Sequence, residues 1–324
     1  MNKILKLISF VFIALLATLS ISKAEVKVVA SIKPIHSLVS YVMDGVGKPD
    51  VIVDGYNSPH GFSLKPSHAK MIENADLIIW VGEDLEAFLE KPLNTIAKKA
   101  VNIEIMDLSG IKKLKFREKN IFEGHDDHGH GHKEKKHDDH GHKEAKHDDH
   151  GHDKHAHGEH DPHVWLDPMN AKVIIKEIEK QLVKLDPDNS SKYKANSKKA
   201  QSELDNLTKN IKRDLKRNLR FVVFHDAYQY FENRFGIKVL GALTVNPDVL
   251  PGAEQLSEIR EVIEHEKVNC LFSEPQFNPA IIKSIAKDTK IKTGVLDPLG
   301  ATLDKGKGMY SELLQSMYAS FKGC

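Results

Sequence analysis

The chain has 324 residues, is 29% charged and 40% hydrophobic, and carries a formal net charge of +1. That balance provides no global field for nucleic acid or for an acidic membrane surface, so partners have to be sought in local motifs. Two cysteines, Cys270 and Cys324, exclude a disulfide-dense scaffold.

Residues 1–24 predict a secretory signal peptide. Lys3 and Lys6 supply a positive start, and Leu7 to Ile21 is an apolar core. Ser22-Lys23-Ala24 then places small residues where a signal peptidase reads them, so cleavage is expected before Glu25. The rival, an N-terminal membrane anchor, needs a span of about 20 apolar residues, longer than this run. No cysteine stands near the cleavage point for a lipid anchor.

From Glu25 short apolar runs alternate with amphipathic stretches. Strands are predicted over Val26–Ile32, Asp50–Val53, Asp76–Val81 and Val101–Met106, with helices opening at Pro34, at Pro66 and near Leu85. Apolar strands separated by helices predict a parallel sheet covered on both faces.

The tract from His125 to His160 interrupts this pattern. It holds 13 of the 19 histidines, with 10 Asp/Glu and 6 Lys, and its H-D-D-H-G-H core starts at His125, His137 and His147. Ala145 and Ala156 are its only apolar side chains. Such a stretch cannot bury enough surface to offset its ordering entropy, so disorder is expected when it is metal-free. Dense imidazole with interleaved carboxylate points to binding of Zn, Ni, Cu or Co; the plainer alternative is a polar linker.

After the tract a helix is predicted from Asp167-Pro168 to Leu185, broken by Asp186-Pro187-Asp188. Asn189–Leu219 lacks Gly and Pro and reads as one long strut between lobes rather than two shorter helices. Strands are then predicted over Phe221–Phe224, Ile237–Leu243, Val268–Phe272 and Ile291–Leu296. The interleaved helices run over Tyr228–Phe235, Ala253–Lys267, Pro279–Lys287 and Met309–Phe321. The expected fold is α/β: two lobes, each a parallel sheet flanked by helices, joined by a long rigid helix and carrying a disordered His-rich loop. The expected division is signal peptide 1–24, N-terminal lobe 25–124, His-rich loop 125–160, helical connection 161–219 and C-terminal lobe 220–324. In an exported chain Cys270 and Cys324 form either a bridge closing a long loop, two free thiols or a soft metal pair.

Six histidines lie outside the tract. His36 stands in the apolar run I-H-S-L-V-S and reads as packed; His68 and His265 read as solvated. His60, His163 and His225 are different. His60 follows the second strand and His225 ends F-V-V-F-H. Both therefore belong at strand C-termini, which line the ligand crevice of parallel sheets. His163 lies beside the connection, and Asp297 ends another strand. Three imidazoles with a carboxylate or a water satisfy tetrahedral zinc.

The segments H-G-F-S-L-K-P-S (60–67), A-D-L-I-I-W-V-G (75–82), H-V-W-L-D-P (163–168), F-V-V-F-H-D-A-Y (221–228), S-E-P-Q-F (273–277) and L-D-P-L-G (296–300) carry a resemblance over the whole mature chain. The sequence resembles the periplasmic zinc-binding subunits of bacterial ABC transporters, in the metal-specific class of solute-binding proteins. The His-rich insertion is typical of the zinc branch. The resemblance implies Zn(2+) ligation by His60, His163 and His225, a rigid helix joining the lobes and a Cys270–Cys324 disulfide. It also implies a periplasmic monomer that delivers zinc to an inner-membrane permease driven by a cytoplasmic ATPase, with no enzymatic chemistry and no nucleic acid. Some zinc members carry a Glu just before the first ligand, where this chain has Pro59. The fourth ligand is then Asp297 or a water, with water favoured and Glu274 the weaker candidate. Manganese-binding relatives usually replace one histidine by a carboxylate, so a nitrogen-rich set favours zinc. The alternatives are a zinc hydrolase or lyase using a three-histidine zinc with bound water, a binder of manganese or another metal, and an adhesin. No H-E-x-x-H motif supports the first of these.

Overall fold

The computed structural model describes residues 25–117, 120–121, 158–215, 219–247, 249 and 251–324. The signal peptide and nearly all of the His-rich tract lie outside the described residues. The last three residues of the predicted tract belong to the fold. The Gly158 N–H donates to Asp84 Oδ1 at 2.8 Å, and His160 forms a β-bridge with Lys115.

The N-terminal lobe is built from β1 (Val28–Ile32), α1 (Lys33–Val42), β2 (Asp50–Val53), α2 (Pro66–Asn74), β3 (Leu77–Trp80), α3 (Glu83–Thr95) and β4 (Val101–Glu104). Its strands are all parallel, in the order β2-β1-β3-β4. The central β1 and β3 are buried at every position. The edge strand β4 exposes Val101 and Asn102, so the expectation of full cover holds only for the interior strands.

The connection consists of α4 (Pro168–Leu185) and α5 (Ser190–Asp214). Asp167 caps α4 by accepting the Met169 N–H, and Pro168 occupies the first turn, where no N–H is needed. A single unbroken α5 of 25 residues agrees with the predicted strut; at 1.5 Å per residue it is roughly 37 Å long. It packs on α4 and on α1.

The C-terminal lobe contains β5 (Arg220–His225), α6 (Gln229–Phe235), β6 (Lys238–Thr244), α7 (Ala253–His265), β7 (Cys270–Ser273), α8 (Ala280–Thr289), β8 (Lys292–Val295) and α9 (Met309–Gly323). These strands are also parallel, ordered β6-β5-β7-β8. Gly236 ends α6 at φ 70°, a left-handed stop open to glycine. Cys270 and Cys324 form a disulfide that ties the end of α9 to β7. Among the described residues no helix is long and apolar enough to cross a membrane.

The lobes are not independently packed. One apolar cluster runs from Val28 and Ile79 through Trp165, Ile175 and Tyr193 to Phe221 and Phe321. A smaller cluster, including Val222, Leu240 and Ile285, covers the other face of the C-terminal sheet. A shared core resists hinge opening, because separating the lobes exposes packed apolar surface.

Glu86 carries a pH-dependent cost in this frame. It is fully buried, it leaves helical φ/ψ inside α3, and its carboxylate accepts the Val81 N–H at 2.7 Å. Burial pushes its pKa from 4.5 up to about 7, against the N–H bonds from Val81 and Gly82. Between those two values the folded chain keeps a proton that the unfolded chain has lost, so stability falls as pH rises through this window. Glu86→Gln is expected to remove that slope and to stabilise the protein above pH 7 by roughly 3 kcal/mol. Thermal unfolding of both forms at pH 5 and pH 8 checks this, and an identical pH dependence would refute it.

Candidate metal centre

His60 lies in the turn that follows β2, and its backbone N–H donates to Ser58 Oγ. The base of that loop is held by the other lobe. Lys305 donates to Asp54 at 2.8 Å, and the buried Lys33 donates to the Leu303 carbonyl at 2.6 Å while standing 4.0 Å from Asp54. Burial acts to raise the Asp54 pKa, but the bonds from Lys305 and the Gly55 N–H, with the charges of Lys305 and Lys33, hold it below its ordinary value.

His163 precedes the turn Val164–Leu166, which leads into α4. Two contacts hold this turn. Trp165 is fully buried and donates its indole N–H to the Pro298 carbonyl, and Arg234 on α6 grips Asp167 with two bonds of 2.6 Å. His225 is the last residue of β5, at the crevice end of its sheet.

These elements bring the three imidazoles together. Each offers a ring nitrogen, and the three atoms lie within 4.8 Å of one another. His163 Nε2 and His225 Nε2 are 3.2 Å apart. Two zinc ligands at about 2.0–2.1 Å in tetrahedral geometry are separated by roughly 3.3 Å, so the pair already has the spacing of a tetrahedral edge.

The opposite ring nitrogens are fixed by buried carboxylates. His163 Nδ1 donates to Asp161 Oδ1 at 2.7 Å, and His225 Nδ1 donates to Glu274 Oε1 at 2.8 Å. Tyr228 donates to the same Glu274 oxygen at 2.9 Å. With Nδ1 donating to the carboxylate in this geometry, each Nε2 presents its lone pair to the centre, and the carboxylate fixes the orientation of the ring. Asp161 has no exposed surface and Glu274 is 4% exposed. Further buried charge stands near Asp161: Arg117 pairs with Asp226 and Glu232, yet burial still pushes both carboxyls above their ordinary values.

Asp297 stands apart from the histidine group. Its Oδ1 accepts from Gln276 Nε2 at 3.0 Å, and its Oδ2 accepts from the Thr302 N–H and hydroxyl, both at 3.1 Å. Glu274 enters as a partner of His225. Asp161, two residues before His163, was readable only as part of D-P-H; nothing local marks it as a carboxylate for that imidazole. The other histidines fall elsewhere. His36 is buried with Nε2 at 3.1 Å from the Pro49 carbonyl, and His265 is exposed. His68 is half-buried rather than solvated, because its Nδ1 accepts the Lys65 N–H at the start of α2.

The sequence profile of the family described as "Zinc-uptake complex component A periplasmic" matches residues 28–324. The chain belongs to this family. It is 47% identical over 304 residues to the high-affinity zinc uptake system protein ZnuA of Brucella abortus (strain 2308), covering 92% of this chain and 91% of that protein. It is 39% identical over 344 residues to the protein of that name from Haemophilus influenzae, covering 100% and 99%. A crystal structure of ZnuA superposes with a TM-score of 0.73 at 22% identity over 93% of this chain and 99% of that one. A manganese-bound solute-binding protein from Pseudomonas aeruginosa, FpvC, reaches 0.71 at 18% identity over 93% and 99%. Both share the fold of this chain. Family membership makes this chain a periplasmic, zinc-binding solute carrier of ABC-mediated zinc import, and not an enzyme.

Proposed function

We propose that His60, His163 and His225 are the protein ligands of the imported zinc ion, and that the loaded protein delivers it to an inner-membrane ABC permease worked by a cytoplasmic ATPase. The supporting observation is the convergence of three ring nitrogens from the N-terminal lobe, the connection and the C-terminal lobe. Two of them are aimed by buried carboxylates. Neutral imidazole with no carboxylate in the group suits zinc over manganese on ligand softness. The protein acts as a monomer, and residues 1–24 are removed on export.

In this reading the His-rich tract is a collector. Its many weak sites raise the local zinc concentration beside the tight site to which they are tethered. Deleting residues 125–157 leaves the anchoring contacts of Gly158 and His160 in place. The tight site, counted by zinc titration against a competing chelator, is expected to survive that deletion with unchanged affinity. Weak sites disappear, and uptake at scarce zinc falls. Loss of the tight site with the tract would make the tract the main binder and overturn the assignment.

A further inference from the structure

Gln276 lies in the wall of the histidine cavity, where the ligand assignment above gives it no task. The cavity is bounded by His60, His163, His225, Glu274 and Gln276, and offers about 10 Å3 to a water-sized sphere. That is space for about one water-sized body.

The amide of Gln276 is oriented. Its nitrogen donates to Asp297 Oδ1, and a carboxylate can only accept, which settles which end of the amide faces it. Asp297 is itself held, 6% exposed, by the Thr302 N–H and hydroxyl on its second oxygen. The amide oxygen of Gln276 is therefore turned away from Asp297. It is buried and has no hydrogen-bond donor, and the same is true of Glu274 Oε2. A buried acceptor without a donor costs about 1–3 kcal/mol, so a pair of them in one cavity wall calls for a ligand that donates.

We propose that Gln276, positioned by Asp297, governs the fourth coordination position of the bound metal and selects a ligand that carries O–H donors. A metal-bound water meets this description: its oxygen faces the ion and its two O–H bonds face Gln276 Oε1 and Glu274 Oε2. An anion such as chloride or azide brings no such pair of donors and is disfavoured. Asp297 acts through Gln276 and is a positioning residue, not a ligand, since all three donors it receives compete with a metal for its lone pairs. The inference rests on the three-histidine reading.

The test uses protein lacking residues 125–157, loaded with zinc for kinetics and with cobalt for visible spectra. Gln276→Met keeps the side-chain length and removes both polar ends. It is expected to speed zinc release to a chelator 10–100-fold, the range of loss for groups that hold a metal's ligands. It is also expected to let azide change the cobalt spectrum at concentrations that leave the parent unchanged. Gln276→Glu retains an acceptor and is expected to restore azide exclusion. Unchanged release together with an unchanged azide response overturns the proposal. So does loss of the tight site in Asp297→Asn while Gln276→Met is silent, because Asp297 is then a ligand. His60→Ala separates the two readings. If it keeps the tight site, the ligand assignment falls and this inference with it. If it loses the site while Gln276→Met is silent, this inference alone falls.

Discussion

His163→Ala is expected to weaken zinc binding on the order of 10²-fold and to destabilise the metal-free protein too, whereas His60→Ala is expected to lose affinity alone. Structural zinc sites bind with roughly 10–16 kcal/mol shared among four ligands, so one ligand carries about 3 kcal/mol. The stability difference comes from what lies behind each ring. Asp161 has no exposed surface, and its Oδ1 takes both the His163 ring N–H and the His163 backbone N–H, while Oδ2 has no donor. Removing the imidazole leaves a buried carboxylate with one backbone N–H, a loss of roughly 2–3 kcal/mol. His60 is only half-buried, in an irregular loop, so its removal disturbs less buried structure. Chelator-competition titration and thermal unfolding of the metal-free forms check both parts. Equal unfolding temperatures would refute the role given to Asp161, and an affinity change below about tenfold in either variant would refute the ligand set.

The double replacement of Cys270 and Cys324 by alanine is expected to lower stability by about 4 kcal/mol with zinc affinity unchanged. The disulfide spans a sequence separation of 54, and closing a loop of that size removes entropy worth roughly that amount from the unfolded chain. The folded state keeps α9 docked without it. Phe321 is fully buried, with ring centroids 4.9 Å from Phe221, 5.5 Å from Phe231 and 5.4 Å from Phe272. The bridge lies at the far end of β7 from Ser273 and Glu274, so the histidine cavity is not touched by its loss. Urea unfolding of metal-free protein measures the first part and zinc titration the second. A stability loss under about 1 kcal/mol would show that the unfolded chain is already compact across this loop. A fall in zinc affinity would show that α9 moves when the bridge is absent.

Much of the architecture is legible from local pattern. Apolar runs such as Leu77–Trp80 and Phe221–Phe224, separated by helical stretches and punctuated by Pro34, Pro66, Pro168 and Gly236, specify two parallel sheets, because strand and helix periods and their stop signals are written in neighbouring residues. The unbroken polar-apolar rhythm of Ser190–Asp214 likewise specifies one long helix. His60 and His225 were readable as site residues because a parallel strand delivers its last residue to the crevice. His163 depended on its motif. Only the tertiary structure decided the partners. Glu274 meets His225 across 49 residues, and Gln276 meets Asp297 across 21. The crossovers and sheet order bring these pairs together, and no local period encodes them. The same holds for the continuous core beneath both lobes, for the exposed edge of β4, and for Lys305 reaching Asp54 from 251 residues away. Periodicity states which face of an element is apolar; which other face covers it, and which buried polar group meets which, is settled when the chain closes on itself.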